Sequence, residues 1–600
     1  MTDTLLDRRD LEFQLYEVLD TTGLCERERF REHDRETFDA VIDAADRTAR
    51  EKFAPHNALA DREEPRFVDG RVEMRPEVSE AIDAYADAGF IAGRYDEALG
   101  GMQLPESVMT ACSGFFVAAN PGTAGYPFLT TAAANVIRLF GSEQQRSTYL
   151  PPMLAGRFTG TMALTEPQAG SSLADLTTSA TPADEGEGHY LIRGAKLYIS
   201  GGEHELSENI IHLVLARIQG APAGVKGISM FIVPKYRLDA DGNPAERNGI
   251  ALAGLIHKLG YRSTTSTALS FGDDAPCHGY LVGEPHQGLK YMFQMMNEAR
   301  LGVGFGATAI GYRGYLHSLG YARERLQGRP PSGKDPASSP VPIIEHADVR
   351  RMLLAQKSWM EGAFALCLYG ARLVDDSQTH PDDKERERAR QLLDLLTPVI
   401  KAWPSEYGTR ANDLAIQVYG GAGYTREYPV EQCWRDNRLN PIHEGTNGIQ
   451  ALDLLGRKVW QEKGLELLLE AIQTDMAAAA DPQCKQWAQS LGGVIERLEA
   501  TTRGLGRALA EQGPDDALAN ASVYLHLFGH VVVAWMWLRQ ANIAAARLEA
   551  DISQADRNFY SGKMQAARYF FHWELPGIGR DLEILERMDD TCLSMKDEWF

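Results

Sequence analysis

Residues 160–180 read GTMALTEPQAGSSLADLTTSA, and this stretch decides the fold. Its first part is a strand. Thr165-Glu166-Pro167 breaks the strand, because proline has no N–H to give to a ladder. Ala169-Gly170-Ser171-Ser172 then makes a turn of small residues, whose backbone N–H and hydroxyl groups suit a flat, polar-edged ring or a phosphate-bearing ligand. Upstream, from Met1 to about Arg157, the pattern is mostly helical, with ETFDAVIDAADRTAREKF (36–53) placing apolar residues three and four apart. Downstream the period changes: HYLIRGAKLYIS (189–200), NIIHLVLARI (209–218), GISMFIVPKY (227–236) and TSTALSFGD (265–273) are short, β-branched and bounded by Gly, Pro and Asp. From about Gln287 helices return and continue to the end, interrupted by the polar loop GRPPSGKDPASSPVP (328–342) and by a pause in the apolar pattern at 457–463.

The expected fold is therefore α+β and mostly α. It comprises an N-terminal helical domain (1–157), a central β domain (158–283), a helical bundle (284–462) and an additional C-terminal helical domain (463–600). The order is not the β-α alternation of a doubly wound sheet.

The chain has 600 residues, 44% apolar and 24% charged, with a formal charge of −22. Several domains follow from that length. The acidity disfavours nucleic acid or an anionic membrane as a surface-wide partner, though not a local basic pocket for one phosphorylated ligand. The start, MTDTLLDRRDLEFQ, has no apolar core and does not read as a signal peptide. The segment 523–538, VYLHLFGHVVVAWMWL, is shorter than the ~20 residues needed to span a bilayer. His526 and His530 interrupt it, so it reads as a buried helix and no transmembrane segment is expected. Seven scattered cysteines with no CxxC pair give no disulfide framework or zinc finger and fit a reducing, cytoplasmic setting.

Three motifs resolve into ordinary structure. GVGFGATAIG (302–311) follows a helical stretch instead of a strand, so it reads as close helix packing and not as a dinucleotide fingerprint. YGGAGY (419–424) reads as a helix C-terminus. DADGN (239–243) lacks the Gly and Glu that a calcium loop needs, since Pro244 and Ile250 stand there, and reads as a turn.

PIHEGTNG (441–448) is more pointed. It fails as HExxH because residue 447 is Asn, so no metal is expected. Taken alone, Glu444 is a helix-start carboxylate favoured by the macrodipole or a catalytic base.

Seven segments in order resemble the acyl-CoA dehydrogenase family over about residues 40–460: FGSEQQRSTYLPPMLAG (140–156), MALTEPQAGSS (162–172), GAKLYISGG (194–202), KLGYRSTTSTALSF (258–271), YARERLQGR (321–329), IQVYGGAGYTREYPVEQCWRD (416–436) and HEGTNGIQ (443–450). The long tail and HEGTNGIQALDLLGRKV resemble the longer subfamily that includes 3-methylmercaptopropionyl-CoA dehydrogenase and enzymes acting on fatty acyl-CoAs.

The resemblance implies an FAD-dependent enzyme. It would oxidise a fatty acyl-CoA of medium or long chain, or alternatively 3-methylmercaptopropionyl-CoA, to the trans-2-enoyl-CoA. By motif position Glu444 is the α-proton base. Met162, Leu164 and Thr165 would contact the flavin ring, with Tyr198 and Ser200 on its other side. Arg325 would pair with the pyrophosphate, Gln417, Gly420 and Gly421 would reach the adenosine half of a neighbouring subunit's flavin, and Thr446 is a further flavin contact. Ser171, Asn297, Arg300 and Gly445 fall at thioester and CoA positions, the alternative for Arg300 being a structural ion pair. The implied partners are an electron-transfer flavoprotein and a second copy of the chain.

The match has departures. Tyr-Ile-Ser (198–200) replaces the usual Trp-Ile-Thr, Ser172 a usual Asp, Gly328 a usual aromatic, Asn297 a frequent Asp, Gly448 a frequent polar residue and His443 a frequent Tyr. Two other readings compete. A nucleic-acid-binding alkylation-response relative is disfavoured by the acidic charge, and a scaffold with a dead site is disfavoured by the intact Glu444.

Overall fold

The computed structural model describes residues 5–183, 186, 188–333, 335 and 337–600, apart from the side chain of Gln294. They sort into two compact units: residues 36–299, and the described residues up to 35 together with 300–600.

The chain opens with α1 (Arg8–Glu12), capped by the Asp7 carboxylate, and enters the 36–299 unit through α2 (Arg35–Thr48). There follow α3 (Asn57–Arg62), a hairpin of β1 (Arg66–Val68) and β2 (Arg71–Glu73), α4 (Pro76–Asp87), α5 (Glu106–Ala119), α6 (Pro121–Phe140) and α7 (Glu143–Leu154). The hairpin interrupts a region expected to be mostly helical. Asp69 and Gly70 both take positive φ (50° and 80°), the pairing that a two-residue turn between strands requires. Local caps fix the helix starts: Asn120 accepts from Thr123 N ahead of α6, and Ser142 and Gln145 form a reciprocal capping box at α7.

The main sheet contains β3 (Phe158–Ala163), β4 (Ser179–Pro182), β5 (His189–Ser200), β6 (Asn209–Ile218), β7 (Ile228–Pro234), then, after the β8 (Tyr236–Leu238)–β9 (Pro244–Arg247) hairpin, β10 (Ile250–Leu255), β11 (Ser266–Phe271) and β12 (His278–Leu281). Its order is β10-β11-β5-β12-β7-β6-β3, with β4 pairing both β5 and β6. The strand period of two divides the apolar runs between two cores. Ile211, Leu213 and Leu215 of β6 and Met230 and Ile232 of β7 join α6, α7 and β3, while Val214, Ala216, Phe231 and Val233 join Ile192, Leu269 and Phe271. Both faces are covered, which is why apolar residues run on both faces of these strands instead of alternating with polar ones. The DADGN segment is a turn: Asp239 Oδ1 accepts from the N–H groups of Asp241 and Asn243.

Helix α8 (Gly288–Glu324) begins in this unit and ends in the other. There it joins α9 (Ala347–Thr379), α10 (Asp383–Tyr419), α11 (Val430–Asn437) and α12 (Asn447–Gly456). The glycines of 302–311 are packing glycines. A Cβ at Gly304 would lie 1.9 Å from Ile400 O of α10, and one at Gly311 2.3 Å from Met360 Sδ of α9. The 328–342 loop is pinned by a Leu326–Pro342 bridge and by Arg329 Nε donating to Ser338 O, with Lys334 and Pro336 lying outside the described residues.

The tail is α13 (Gly464–Ala477), α14 (Pro482–Glu511), α15 (Pro514–Leu518), α16 (Ala521–Leu548), α17 (Gln554–Tyr569) and α18 (Gly579–Glu586). Helix α16 is long and apolar enough to cross a membrane, but 83% of its most apolar window is buried in protein. Its Trp537 donates to Ser358 O of α9 at 2.9 Å, and Gly362 of α9 leaves that indole its room. The tail therefore docks on the bundle of its own chain. Residues 5–35 join the same unit: Gln14 Nε2 donates to Gln540 Oε1 of α16 (2.8 Å), and Tyr312 of α8 donates to Asp10 (2.8 Å). This corrects the expected 1–157 domain, whose first part belongs to the helical unit.

Candidate active site

In the 36–299 unit, β3 delivers the Met162–Thr165 segment. Met162 is in the core, 8% exposed, and Leu164 packs at its edge. The TEPQA turn is tight, with Glu166 N donating to Ala169 O and Ala169 N to Glu166 O. The Glu166 carboxylate holds the following segment by accepting from Thr177 N, Thr177 Oγ1, Thr178 N, Thr178 Oγ1 and Lys196 Nζ (2.6–3.0 Å). Burial alone would raise this carboxyl, but Lys196 and these donors overcome it and bring it to about 2. The buried Lys196 also donates to Leu164 O, and Leu197 N donates to Thr165 O. The start of the β3 turn and the middle of β5 are thus one rigid piece.

On β5 the register with β11 passes from Ile199 to Lys196 while β11 advances only from Thr267 to Leu269. Leu197 and Tyr198 form a bulge, a device that re-aims side chains. Tyr198 takes φ +59° and is 61% exposed. Ser200, two residues on, is exposed as well, and its carbonyl accepts from Thr161 Oγ1. The exposed aromatic Tyr198 and the hydroxyl residues Thr165 and Ser200 are chemically suited to a flavin ring. Ser171 and Ser172 are exposed on the turn, and Ser172 Oγ donates to Asp175 Oδ2 at 2.6 Å. Asn297 lies half-buried on α8 in this unit.

In the helical unit, α11 ends at Asn437, and a short series of turns leads to α12. Glu444 sits there on left-handed backbone, φ +54°, followed by Gly445 at φ +84°. A non-glycine residue in that region is strained and is held by its surroundings. Gln450 does the holding: its Nε2 donates to both Glu444 O (3.2 Å) and Gly445 O (3.3 Å). Asn447 N closes the loop onto Pro441 O, and Thr446 caps α12 by accepting from Ile449 N at 3.2 Å. Thr446 is thus a helix cap in addition to its expected flavin role.

Burial raises the Glu444 carboxyl above its ordinary value, with Lys401 and Arg300 pulling it back. His443 bonds Asn440 Oδ1 through Nε2 at 3.1 Å, and burial, then Lys401, lowers it to about 3, so it is neutral. Arg300 is buried and ion-paired with Asp453 of α12 at 3.0 Å, the structural alternative considered for it. Arg325 is exposed just past the end of α8, and Gln417, Gly420 and Gly421 are exposed at the end of α10. Gly420 takes φ +61°, the C-terminal glycine expected there, and a Cβ on Gly420 or Gly421 would meet only open space.

Sequence reasoning missed Lys196, Gln450 and Lys401. Lys401 alone carried a signal, as a lone cation inside the apolar run LLTPVIKAWP (395–404).

Four family models match the chain in order: acyl-CoA dehydrogenase N-terminal domain (35–157), middle domain (161–273) and C-terminal domain (286–459), then acetyl-CoA dehydrogenase C-terminal like (468–596). The chain belongs to the acyl-CoA dehydrogenase family of oxidoreductases, which act on acyl-CoA substrates. It is 37% identical to 3-methylmercaptopropionyl-CoA dehydrogenase of Ruegeria pomeroyi, over 88% of this chain and 89% of that protein. A broad-specificity linear acyl-CoA dehydrogenase of Mycobacterium tuberculosis is 33% identical over 99% of both chains. Among solved structures, an acyl-CoA dehydrogenase of Bacillus anthracis complexed with FAD superposes with TM-score 0.74 at 19% identity, covering 94% of this chain and 90% of that one.

Proposed function

We propose that this protein dehydrogenates 3-methylmercaptopropionyl-CoA between its α- and β-carbons, with Glu444 as the base. The observation that carries the reading is the state of Glu444: a strained, glutamine-held residue whose carboxyl burial pushes up, toward the range where a base takes and returns protons. The proton of the α C–H bond goes to the Glu444 carboxylate. FAD, when bound, accepts the β-hydrogen with its electron pair. The α–β double bond forms from the electrons left at the α-carbon. Thr165, Tyr198 and Ser200 would hold the flavin ring, and Gly445, with no side chain, lets the thioester approach the base.

The 37% identity to the Ruegeria pomeroyi enzyme supports the short thioether acyl group. The near-complete coverage by the linear acyl-CoA dehydrogenase supports a second reading, a medium or long fatty acyl-CoA. An electron-transfer flavoprotein as acceptor, a homodimer with Gln417, Gly420 and Gly421 reaching the partner's flavin, and a cytoplasmic location belong to the same proposal.

The test has two parts. Glu444→Gln should keep its yellow flavin yet bleach anaerobically about 10²–10⁴-fold more slowly with acyl-CoA, and bleaching at the wild-type rate removes Glu444 from the role. Turnover across linear acyl-CoAs and 3-methylmercaptopropionyl-CoA then ranks the substrates by kcat/KM, and a higher value for a long-chain thioester selects the second reading.

A further inference from the structure

Lys401 lies in the middle of α10, 0% exposed, and its Nζ has no hydrogen-bond partner among the described residues. The backbones of α8 and α10 pack tightly here, since a Cβ at Gly304 would be 3.3 Å from Lys401 Cα. An ammonium in such a place loses its hydration and gains nothing from a direct hydrogen bond, a costly arrangement.

The charged and titratable groups that face it come from three other segments. Arg300 is on α8, its partner Asp453 is on α12, and His443 and Glu444 are on the loop before α12. Asp453 already neutralises Arg300 at 3.0 Å, and it also binds Arg457. His443 is neutral. Among the described residues of this cluster, Glu444 is the carboxylate and Lys401 the buried cation that have no ion pair.

We propose that Lys401 is a positioning residue for Glu444, its buried ammonium being the counter-charge that keeps the base ionised. The inference rests on the reading of Glu444 as the base. Before the reaction the two charges balance. When the α C–H bond breaks and the proton bonds to Glu444, the carboxylate becomes neutral and the Lys401 charge is left uncompensated beside the electron-rich thioester, where positive charge is useful. The balance of burial and neighbours agrees. Burial, then Arg300, lowers the Lys401 amine to about 7 against the pull of Glu444, and Lys401 is the leading group holding the Glu444 carboxyl down.

The experiment compares wild type, Lys401→Met, Lys401→Arg and Glu444→Gln, all as flavin-loaded holoenzyme. The first readout is kcat/KM against pH. Without Lys401, desolvation acts on Glu444 against Arg300 alone, so its proton affinity rises. The acid limb of Lys401→Met should move up by about one pH unit, about a tenfold lower kcat/KM on that limb, while Lys401→Arg keeps the wild-type limb. A role in packing alone leaves the limb of Lys401→Met in place and overturns the proposal, as does a change confined to KM, which would make the amine a substrate contact.

The second readout needs no turnover. A lysine whose folded value lies below its ordinary 10.5 destabilises the protein fully below about pH 7, and that cost fades as pH rises toward 10.5. Lys401→Met should therefore melt above wild type at pH 7 and below, with the gap narrowing at higher pH. A pH-independent gap overturns the desolvated-amine premise. If Glu444→Gln turns over normally, the base reading fails. If Glu444→Gln is inactive and the limb of Lys401→Met stays put, only the inference on Lys401 fails.

Discussion

Glu444 and Gly445 are two consecutive residues in left-handed backbone, and each needs a different licence. Gly445 has no Cβ to clash, whereas Glu444 must be held, and Gln450 holds it through the two carbonyls. Gly445→Ala tests that arrangement. The new Cβ would fall 2.6 Å from Gln450 Nε2, which is fully buried and has little room to retreat. Left-handed backbone adds ~1–2 kcal/mol for any L side chain. Displacing the Glu444 carboxylate by about an ångström should lower kcat/KM roughly 10²-fold, with flavin absorbance per protein unchanged, and wild-type kcat/KM would show that Gln450 does not set the geometry. The sequence marked Glu444 because HEGTNG has a position in a known pattern. It could not mark Gln450, since nothing in a glutamine's identity says which carbonyls it meets. Lys401 was visible as an oddity, one cation in an apolar run, but its meaning needed the turn that brings Glu444 to the same place.

At the level of elements, the β3 turn and β5 show what a period-two reading can and cannot find. The strands were legible because β6 and β7 are buried on both faces and so are mostly apolar. The bulge at Leu197–Tyr198 was not, because a bulge depends on a mismatch between two strands and β11 lies far along the chain. The β1–β2 hairpin was missed for a related reason: its strands have three residues each, too few to establish a period. The link between β3 and β5 is the buried Glu166–Lys196 pair, 2.9 Å apart. Glu166→Gln would leave the Lys196 ammonium buried without its counter-charge, a loss of about 3–5 kcal/mol. It would also loosen the turn that carries Thr165. The expected result is a lower melting temperature and a lower flavin content after purification. Wild-type Glu166 lies below its ordinary 4.5, so its stabilisation is complete above that pH and is lost as the pH falls toward about 2. Glu166→Gln should lack that acid-dependent component, and a pH–stability curve parallel to wild type between those values refutes the assignment.

At the scale of the whole chain, the helical unit is assembled from segments that the sequence places far apart. Lys563 of α17 donates to Asp10 near the N-terminus, 553 residues away, to Glu361 of α9 at 2.8 Å and to Gln540 of α16 at 3.1 Å. Lys357 pairs with Glu361 as well, so two cations and two carboxylates balance in the interior. The helices of the tail were legible from their amphipathic spacing, but their docking site was not, because charge pairing across such separations leaves no trace in local pattern. The network explains why residues 5–35 belong with 300–600: one lysine ties both ends of the chain to the bundle. Lys563→Met tests this. It removes one cation and leaves Asp10 without its strongest partner, and breaking a buried pair from one side costs about 3–5 kcal/mol. Screening does not reach such a site, so the loss should persist in high salt, unlike that of a surface pair. Asp10, already raised by burial against the pull of Lys563, should then take up a proton to relieve the imbalance. Stability of Lys563→Met should therefore recover partly as the pH is lowered through the range where that carboxyl titrates, and by more than wild type, whose Asp10 is raised against the pull of Lys563. Thermal melts at two salt concentrations and across mildly acidic pH check all three expectations. A melting temperature equal to wild type at neutral pH would mean that apolar packing of α16 and α17 alone holds the tail.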